Sequence, residues 1–178
     1  MTGTLLSIEI KPGGVLTPQE QEAIANLFEA AFEEAYEPFQ EVFTDPTHIL
    51  GKVDGKLVSH ALWITRWLAL QGRPALRTAY VEAVATDQAY RKRGYATQIM
   101  ACLAAQIQDY ALGGLSPADT SLYARLGWEF WQGPLFGRKD GKWIPIPGEQ
   151  AMILRTRNTP ELDLHAPLSI EWRDGEVW

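Results

Sequence analysis

The sequence predicts an α+β fold: a mixed, mostly antiparallel sheet with a central βαβ crossover and helices on both faces. Two strand pairs with hairpin turns come early in the chain, at Asp54-Gly55 and near Gln71–Pro74. An amphipathic helical pattern at 95–110 then separates a strand rich in Val, Ala and Tyr from a short apolar strand. A helix between two such strands is typical of a parallel crossover. Further strand patterns close the sheet.

The first elements are a strand and a capped helix. Residues 5–10 alternate as a half-buried strand does, and a Pro-Gly-Gly turn ends them. Thr17 and Glu20 make a capping box around Pro18, so a helix begins here. Its apolar face consists of Ile24, Leu27, Phe28, Ala31 and Phe32.

Acidic residues lie on the other face of this helix and just after it. They are Glu29, Glu33, Glu34, Glu37 and Glu41. A solvated acidic surface and a wall that faces a cationic substrate both fit this pattern. Glu41 is therefore a candidate substrate-binding residue.

The remaining elements follow from periodicity and turn residues. The two hairpins join residues 48–53, 56–70 and 76–87 as strands. After the helix at 95–110, we expect a parallel strand at 112–116 and then a short helix at 116–126 that ends at Gly127. Closing strands are expected at 128–136, 150–155 and 169–172. No repeat or linker interrupts the chain, which predicts a single domain over residues 1–178.

Composition narrows the function. One cysteine, Cys102, excludes an internal disulfide, and its place in the packing helix favours a small core residue over an acyl-enzyme nucleophile. No Cys and His cluster has zinc-ligand spacing, so no metal is expected. A formal net charge of −6 argues against nucleic acid and is compatible with a cationic partner. Without a leader or a long apolar segment, we expect a cytoplasmic protein that does not enter a membrane.

A run of cations lies where the fourth strand meets the crossover helix. Arg91, Lys92 and Arg93 precede Gly94 and Ala96 at the first helical turn. A pyrophosphate needs convergent backbone N–H groups, a positive helix end and small side chains where the chain approaches it. A plain surface helix would instead favour carboxylates at this end.

This junction resembles the GNAT acetyltransferases, whose phosphate signature is Gln/Arg-x-x-Gly-x-Gly/Ala after the fourth strand. Arg91, Gly94 and Ala96 occupy its fixed positions. The resemblance implies acetyl-CoA as co-substrate, a bulge that splays the strands, and an N–H that stabilises the reaction's oxyanion. It implies that the pantetheine arm pairs with the backbone of Val84, Ala85 and Thr86. The pyrophosphate would be held by Arg91, Lys92, Arg93, Gly94, Tyr95 and Ala96.

Two residues are candidates for proton transfer. The segment Ser121–Trp128 resembles the GNAT segment in which a helical tyrosine protonates the departing thiolate, which makes Tyr123 the candidate general acid. Glu82 is the candidate base, acting through water, because it lies two residues before Val84 and strand alternation places both on one face. Core packing of Tyr123 and a salt bridge of Glu82 are the structural alternatives.

The end of the chain narrows the resemblance to one branch. Residues 171–178 resemble the terminal Asp-Trp/Phe-Arg-x-Gly-Asp-x-Trp of aminoglycoside 2'-N-acetyltransferases. Agreement continues at Tyr80–Glu82, Gly114–Ser116 and Trp131–Phe136. The branch implies an acceptor site formed by Glu82, Ser116, Tyr123 and the acidic tail, here Asp174, Glu176 and the carboxylate of Trp178. The two tail tryptophans favour a docked tail over a frayed one.

The N-terminal third departs from that branch, at Glu34–Phe39 and Phe43–His48. The acceptor is therefore expected to be an aminoglycoside of the gentamicin and tobramycin kind or a kasugamycin-like one. A polyamine, amino sugar or peptide amine is the alternative acceptor, and a non-catalytic acyl-CoA-binding module is the alternative class. The family suggests a homodimer. His48, His60 and His165 share no motif and receive no role.

Overall fold

The computed structural model describes residues 5–178. It contains two compact units, which are treated separately below. The first comprises residues 5–64 and 81–103, and the second comprises residues 65–80 and 104–178. Two long strands belong partly to each unit because the unit boundaries fall within them.

The fold is α+β, with four helices, ten strands and two short 3-10 turns in the described part of the chain. The helices are α1 (Pro18–Phe32), α2 (Glu37–Val42), α3 (Tyr95–Gln106) and α4 (Thr120–Arg125). The strands are β1 (Ser7–Pro12), β2 (Thr47–Val53), β3 (Lys56–Leu70), β4 (Leu76–Thr86), β5 (Leu112–Leu115), β6 (Glu129–Phe130), β7 (Leu135–Lys139), β8 (Lys142–Pro145), β9 (Met152–Arg155) and β10 (Leu168–Glu171).

The first unit is built on the antiparallel strands β1, β2 and β3. Asp54 and Gly55 turn between β2 and β3 with φ of 50° and 80°, the left-handed values that a tight type I′ hairpin needs. The predicted capping box is present at α1, where Thr17 Oγ1 accepts from the N–H of Glu20 at 3.2 Å. Both sequence predictions are confirmed.

Helix α3 packs closely on the strands of the first unit. A side chain in place of Gly51 would lie 3.0 Å from Ile99 and 3.2 Å from Leu6. Tyr95 joins Leu6, Val53 and Val58 in a buried cluster at the start of the helix. The small residue at position 51 therefore sets how near α3 comes to β2.

The second unit contains the predicted parallel crossover strand. β5 pairs parallel to β4 over Thr78–Tyr80, and β4 then continues to Thr86. The strand order here is β6-β9-β5-β4-β3-β10-β7-β8, with β7 and β10 also parallel. Gly113 is enclosed, because a Cβ there would lie 2.9 Å from Ile107 and 3.0 Å from Trp128.

Several predicted boundaries were wrong. α3 ends at Gln106 rather than 110, because a tight turn from Ile107 to Tyr110 follows it. α4 begins at Thr120 rather than 116, because Pro117 precedes it and Asp119 caps it through the N–H of Ser121 at 2.8 Å. The segment expected as one strand at 128–136 holds β6 and the start of β7 instead, and between them Gly133 lies so close to the Ala166 carbonyl that a side chain there would collide with it.

Two elements were missed. Helix α2 lies in the segment after α1, and β8 forms a hairpin with β7. The β7–β8 turn is Asp140-Gly141, with φ of 51° and 73°. This is the same Asp-Gly signal that correctly located the β2–β3 turn. No helix among residues 5–178 is long and apolar enough to cross a membrane.

Candidate active site

The junction between β4 and α3 has the geometry that an anion requires. Lys92 and Gly94 have left-handed φ of 62° and 78°, and Arg91 to Gly94 are exposed. A Cβ on Gly94 would meet nothing within 4 Å, so its conformation rather than crowding calls for glycine. The N–H of Gln98 donates to the Gly94 carbonyl at 3.1 Å, and the amides at a helix start have no intrahelical acceptor. A pyrophosphate fits this junction.

Both arginines of the junction contact nearby groups. Arg91 Nε donates to the Thr86 carbonyl at 3.3 Å, and the guanidinium of Arg93 lies 5.2 Å from the centre of the Tyr90 ring. Lys56 pairs with Asp87 at 2.7 Å, and this hydrogen bond lowers the pKa of the Asp87 carboxyl. The carboxylate beside the junction is therefore balanced by a lysine, and the helix has no acidic residue in its first turn.

Strand β4 bends at Ala83, whose φ is 52° although it carries a side chain. Such a residue within a strand costs about 1–2 kcal/mol and interrupts the alternation of side chains. Glu82 and Val84 are both half-buried on either side of it. Regular alternation therefore does not carry across Ala83, and the shared face of Glu82 and Val84 stays a prediction. The bend lies where the resemblance implied a bulge.

The bend is fixed by β3. His60 Nδ1 lies 3.0 Å from the Ala83 carbonyl, and Ser59 Oγ donates to the Ala85 carbonyl at 3.3 Å. The other ring nitrogen of His60, Nε2, lies 2.9 Å from Nδ1 of His48. Sequence reasoning gave these histidines no role, and the structure corrects this by joining His48 and His60 in one buried pair.

Both histidines are uncharged at neutral pH. Burial lowers the pKa of His48 to about 4. Burial, with a smaller contribution from repulsion by His48 once that ring is protonated, lowers the pKa of His60 to about 3. His48 also lines a pocket of about 200 Å³ with residues of α1 and α2, among them Gln21, Tyr36 and Gln40.

Tyr123 lies in the second unit, on α4. Its ring packs edge-on against Trp128 with 6.1 Å between ring centres. Burial, with a smaller contribution from the charge of Asp119, raises the pKa of Tyr123 to about 12. The phenol therefore keeps its proton throughout the neutral range. Ser116, also in this unit, donates from Oγ to Glu149 Oε2 at 3.2 Å.

The end of the chain is docked in the second unit, as its tryptophans predicted. Val177 and Trp178 are buried, whereas Asp174 and Glu176 are exposed. Trp172 Nε1 donates to Asp174 Oδ1 at 3.3 Å. The docked tail therefore presents two carboxylates to solvent.

Arg66 holds the tail. The residue is 2% exposed, and its three side-chain nitrogens donate to Glu171 Oε1 at 3.2 Å, the Val177 carbonyl at 2.7 Å and the Glu171 carbonyl at 2.6 Å. Burial lowers the pKa of Arg66, but a guanidinium does not lose its proton in proteins. Sequence reasoning missed this residue, although a lone Arg in an apolar strand is itself a signal, since a buried charge needs partners.

The remaining residues singled out from the sequence lie at the following positions. Glu41 is exposed on α2 in the first unit, as are Glu29, Glu33, Glu34 and Glu37 in or near the same helices. Cys102 lies half-buried on α3. Within residues 5–178, no group of three or more His, Cys, Asp or Glu side chains could hold a metal. The predicted residues Glu41, Glu82, Val84–Thr86 and Arg91–Ala96 belong to the first unit, and Ser116, Tyr123, Asp174, Glu176 and Trp178 to the second.

Comparison with known proteins agrees with this geometry. Residues 15–131 match the acetyltransferase (GNAT) domain family. An aminoglycoside 2'-N-acetyltransferase of Mycolicibacterium fortuitum is 34% identical over 157 aligned residues, which cover 80% of this chain and 80% of that protein.

Solved structures share the fold at lower identity. The GNAT family N-acetyltransferase YhbS of Escherichia coli, crystallised with CoA, matches with a TM-score of 0.65 and 18% identity over 98% of this chain and 94% of its own. A probable N-acyltransferase of Enterococcus faecalis matches 73% of this chain with a TM-score of 0.60 and 21% identity, and this chain spans only 33% of that longer one. This chain belongs to the GNAT acetyltransferase family and is an acetyl-CoA-dependent N-acetyltransferase.

Proposed function

We propose that this chain transfers acetyl from acetyl-CoA to the 2'-amino group of an aminoglycoside antibiotic by direct attack in a ternary complex, and so confers resistance. The observation that carries the proposal is the acidic tail. Its sequence resembles the tail of aminoglycoside 2'-N-acetyltransferases, the name that the 34% identical relative carries, and Arg66 holds it in a fixed position. An aminoglycoside is a polycation, and carboxylates in fixed positions are suited to bind it. Asp174, Glu176, Trp178, Ser116, Glu41 and Glu82 are the proposed acceptor residues.

Acetyl-CoA supplies the activated acetyl thioester. The backbone of Val84 to Thr86 is proposed to pair with its pantetheine arm, since the register of β4 with β5 covers only Thr78–Tyr80. The N–H groups and cations from Arg91 to Ala96 would bind the pyrophosphate. The left-handed Gly94 and the exposed cations support this assignment.

Proton transfer is assigned to Glu82 and Tyr123. Glu82 receives a proton from the acceptor ammonium through water, which frees the nitrogen lone pair. Tyr123 gives its proton to the departing thiolate. Because a phenol with a pKa of about 12 is a weaker acid than a thiol, Tyr123 donates only as it gains another proton, for which the newly acylated nitrogen is the available source.

A different small amine is the second candidate acceptor. The segment that holds α2 departs from the aminoglycoside branch, and it carries the exposed acids Glu37 and Glu41. If this segment forms part of the acceptor site, its departure from the branch would suit a kasugamycin-like aminoglycoside, a polyamine or an amino sugar. A homodimer and a cytoplasmic location stay predictions.

Thiol release from acetyl-CoA, measured across a panel of amines, tests the acceptor. We expect aminoglycosides with a 2'-amine to have the highest kcat/KM, and analogues with a 2'-hydroxyl to be inert. Activity only with polyamines or amino sugars would show that the acceptor is one of these amines and not an aminoglycoside. Release of no thiol with any amine would favour a binding module.

Single substitutions test the residue roles. Gly94→Asp should abolish acetyl-CoA binding in calorimetry, because a carboxylate would stand among the phosphates.

Tyr123→Phe should lower kcat about 10²-fold with little change in the KM for acetyl-CoA. Glu82→Gln should alter the pH profile of the rate as well as its height. Near-native values for any variant would remove that residue's role.

A further inference from the structure

His60, one member of the buried pair with His48, hydrogen-bonds to the backbone carbonyl of Ala83. Ala83 is the residue of β4 with a left-handed φ. We propose that His48 and His60 are positioning residues for acetyl transfer. Through a directed chain of hydrogen bonds they hold the bend at Ala83, and with it the adjoining Glu82 and the backbone of Val84. The inference rests on the proposed roles of these two neighbours.

The direction of the chain follows from elementary hydrogen-bond chemistry. A carbonyl oxygen can only accept, so Nδ1 of His60, 3.0 Å from the Ala83 oxygen, must carry the hydrogen. In a neutral imidazole the other nitrogen is then an acceptor. His60 Nε2 therefore accepts from His48 Nδ1 across 2.9 Å, and His48 Nδ1 must also carry its hydrogen. One carbonyl thus fixes the tautomers of both rings.

The required tautomer is the minority form of free histidine, whose neutral ring prefers a hydrogen on Nε2. Two neighbouring histidines would not both adopt it without a partner that demands it. The buried position of both rings excludes water as an easy substitute, since His48 is 3% and His60 2% exposed. The Ala83 carbonyl therefore fixes the tautomers of both histidines, and the hydrogen bond from His60 in turn holds the Ala83 carbonyl in place.

The bend needs such an anchor because its conformation is unfavourable. A non-glycine residue at φ 52° persists where surrounding contacts determine it. His60 binds the carbonyl of Ala83 itself, and Ser59 binds β4 two residues later at Ala85. β3 thus fixes β4 at and just beyond the bend. A residue that acts on the site only through this backbone is a positioning residue.

The other end of the chain is at the pocket between α1, α2 and β2. Nδ1 of His48 is engaged with His60, so Nε2 is the ring's remaining acceptor. The titratable group that lines the pocket with His48 is Tyr36, and burial raises its pKa to about 12, so both are neutral at pH 7. Among the described residues that line this pocket, none carries a charge at pH 7 that would favour protonation of His48.

Histidine tautomers provide a readout that is independent of activity. In ¹⁵N-labelled protein at pH 7, both rings should show a protonated Nδ1 and an unprotonated Nε2 by two-bond nitrogen–carbon-proton correlations. In His60→Leu, His48 should lose this preference, because nothing then requires its Nδ1 to donate, whereas in His48→Leu, His60 should keep its hydrogen on Nδ1 for the Ala83 carbonyl. A protonated Nε2 on His60 in the unaltered protein would overturn the chain of hydrogen bonds.

Kinetics test the positioning role, with the best amine that the panel identifies. His60→Leu cannot donate to Ala83 and should lower kcat about tenfold or more, while the KM for acetyl-CoA stays within about threefold. His60→Asn retains a donor N–H and should recover most of the rate. His165→Asn, at an exposed histidine, is the matched control.

The outcomes separate this inference from the proposed function. If aminoglycosides are poor substrates but another amine is acetylated, the same kinetic test applies to that amine. If no amine is acetylated, the tautomers decide, and a hydrogen on Nε2 of His60 in the unaltered protein would overturn the inference. Unchanged kcat in a folded His60→Leu protein, or equal losses in the Leu and Asn variants, would overturn the positioning role.

Discussion

The histidine pair of the first unit and Arg66 of the second are two solutions to one problem, a buried polar side chain among apolar strands. Each ends on backbone carbonyls: His60 on Ala83, and Arg66 on Glu171 and Val177. The histidines are buried neutral, whereas the guanidinium is buried with its charge. The two regions should therefore fail under different conditions.

The difference follows from what each group can give up. A neutral imidazole gains a proton in acid, and a protonated Nε2 on His60 could no longer accept from His48. A guanidinium keeps its proton at every pH that the protein survives, so acid does not remove its hydrogen bonds. Its carboxylate partner, Glu171, has a 39% exposed side chain, so the ion pair itself is screened and the carbonyl bonds carry more of the stabilisation.

The largest expected effect is acid destabilisation through the histidines. At pH 7.5 and above, the folded and unfolded rings are almost entirely unprotonated, and stability does not depend on their titration. As the pH falls below about 7.5, the unfolded rings gain protons that the folded rings, with pKa values of about 4 and 3, do not. The free energy of unfolding should then fall by about 2 kcal/mol per histidine between pH 7.5 and pH 5.

Urea unfolding from pH 7.5 to pH 5 measures this slope. A double variant, His48→Asn with His60→Asn, should have a flatter profile, while His165→Asn should match the unaltered protein. The window ends at pH 5 because carboxyls with lowered pKa values, Glu20 and Asp87, begin to contribute below it. Parallel profiles for all three proteins would show that the pair is not buried neutral.

The second effect is mutational and belongs to Arg66. Arg66→Leu leaves the carbonyls of Glu171 and Val177 without their donor, which should lower the free energy of unfolding by about 3 kcal/mol at pH 7. Arg155→Leu is the matched control, because Arg155 forms an exposed pair with Glu129 and should cost less than about 1 kcal/mol. Equal losses in denaturant titrations would contradict the assigned role of Arg66.

How far the sequence predicted these regions depends on whether their contacts are local. The capping box at Thr17 and the start of α3 after Gly94 each depend on one short segment, so spacing and residue type were enough to predict them. The docking of Trp178 followed from the unfavourable exposure of tryptophan. The partner that holds the tail, Arg66, is 111 positions from Val177 and no local pattern connects them.

The histidine pair was hidden by a register shift. A regular hairpin closed by Val53 opposite Lys56 would place His48 opposite Ala61, and His60 on the other face of the sheet. The irregularity between Gly51 and Lys52 moves the register by one residue, so that His60 lies opposite Leu50. One extra residue in a strand transfers every later side chain to the opposite face. The shift places His48 and His60 on the same face of the sheet, whereas regular alternation would have placed them on opposite faces.

The smallest expected effect concerns the tail that Arg66 holds. Gly175 turns with a left-handed φ of 85°, after which Val177 and Trp178 are buried and the side chains of Asp174 and Glu176 stay exposed. Neutralising these two acids, as Asp174→Asn with Glu176→Gln, should leave the docked tail and the stability nearly unchanged.

If the tail binds a polycation, this double variant should raise the acceptor KM about tenfold, or about 1.4 kcal/mol. The KM for acetyl-CoA should stay within about twofold, and the acceptor KM should lose much of its dependence on salt, since exposed charges are screened over about 8 Å at physiological ionic strength. The control is Glu33→Gln with Glu34→Gln, which neutralises an equally exposed pair in the first unit. A rise in KM for the tail variant alone would assign acceptor binding to the tail, because net charge changes equally in both. A rise for the control alone would assign it to the acidic residues beside α1, and an unchanged KM in both would leave the aminoglycoside without its main support.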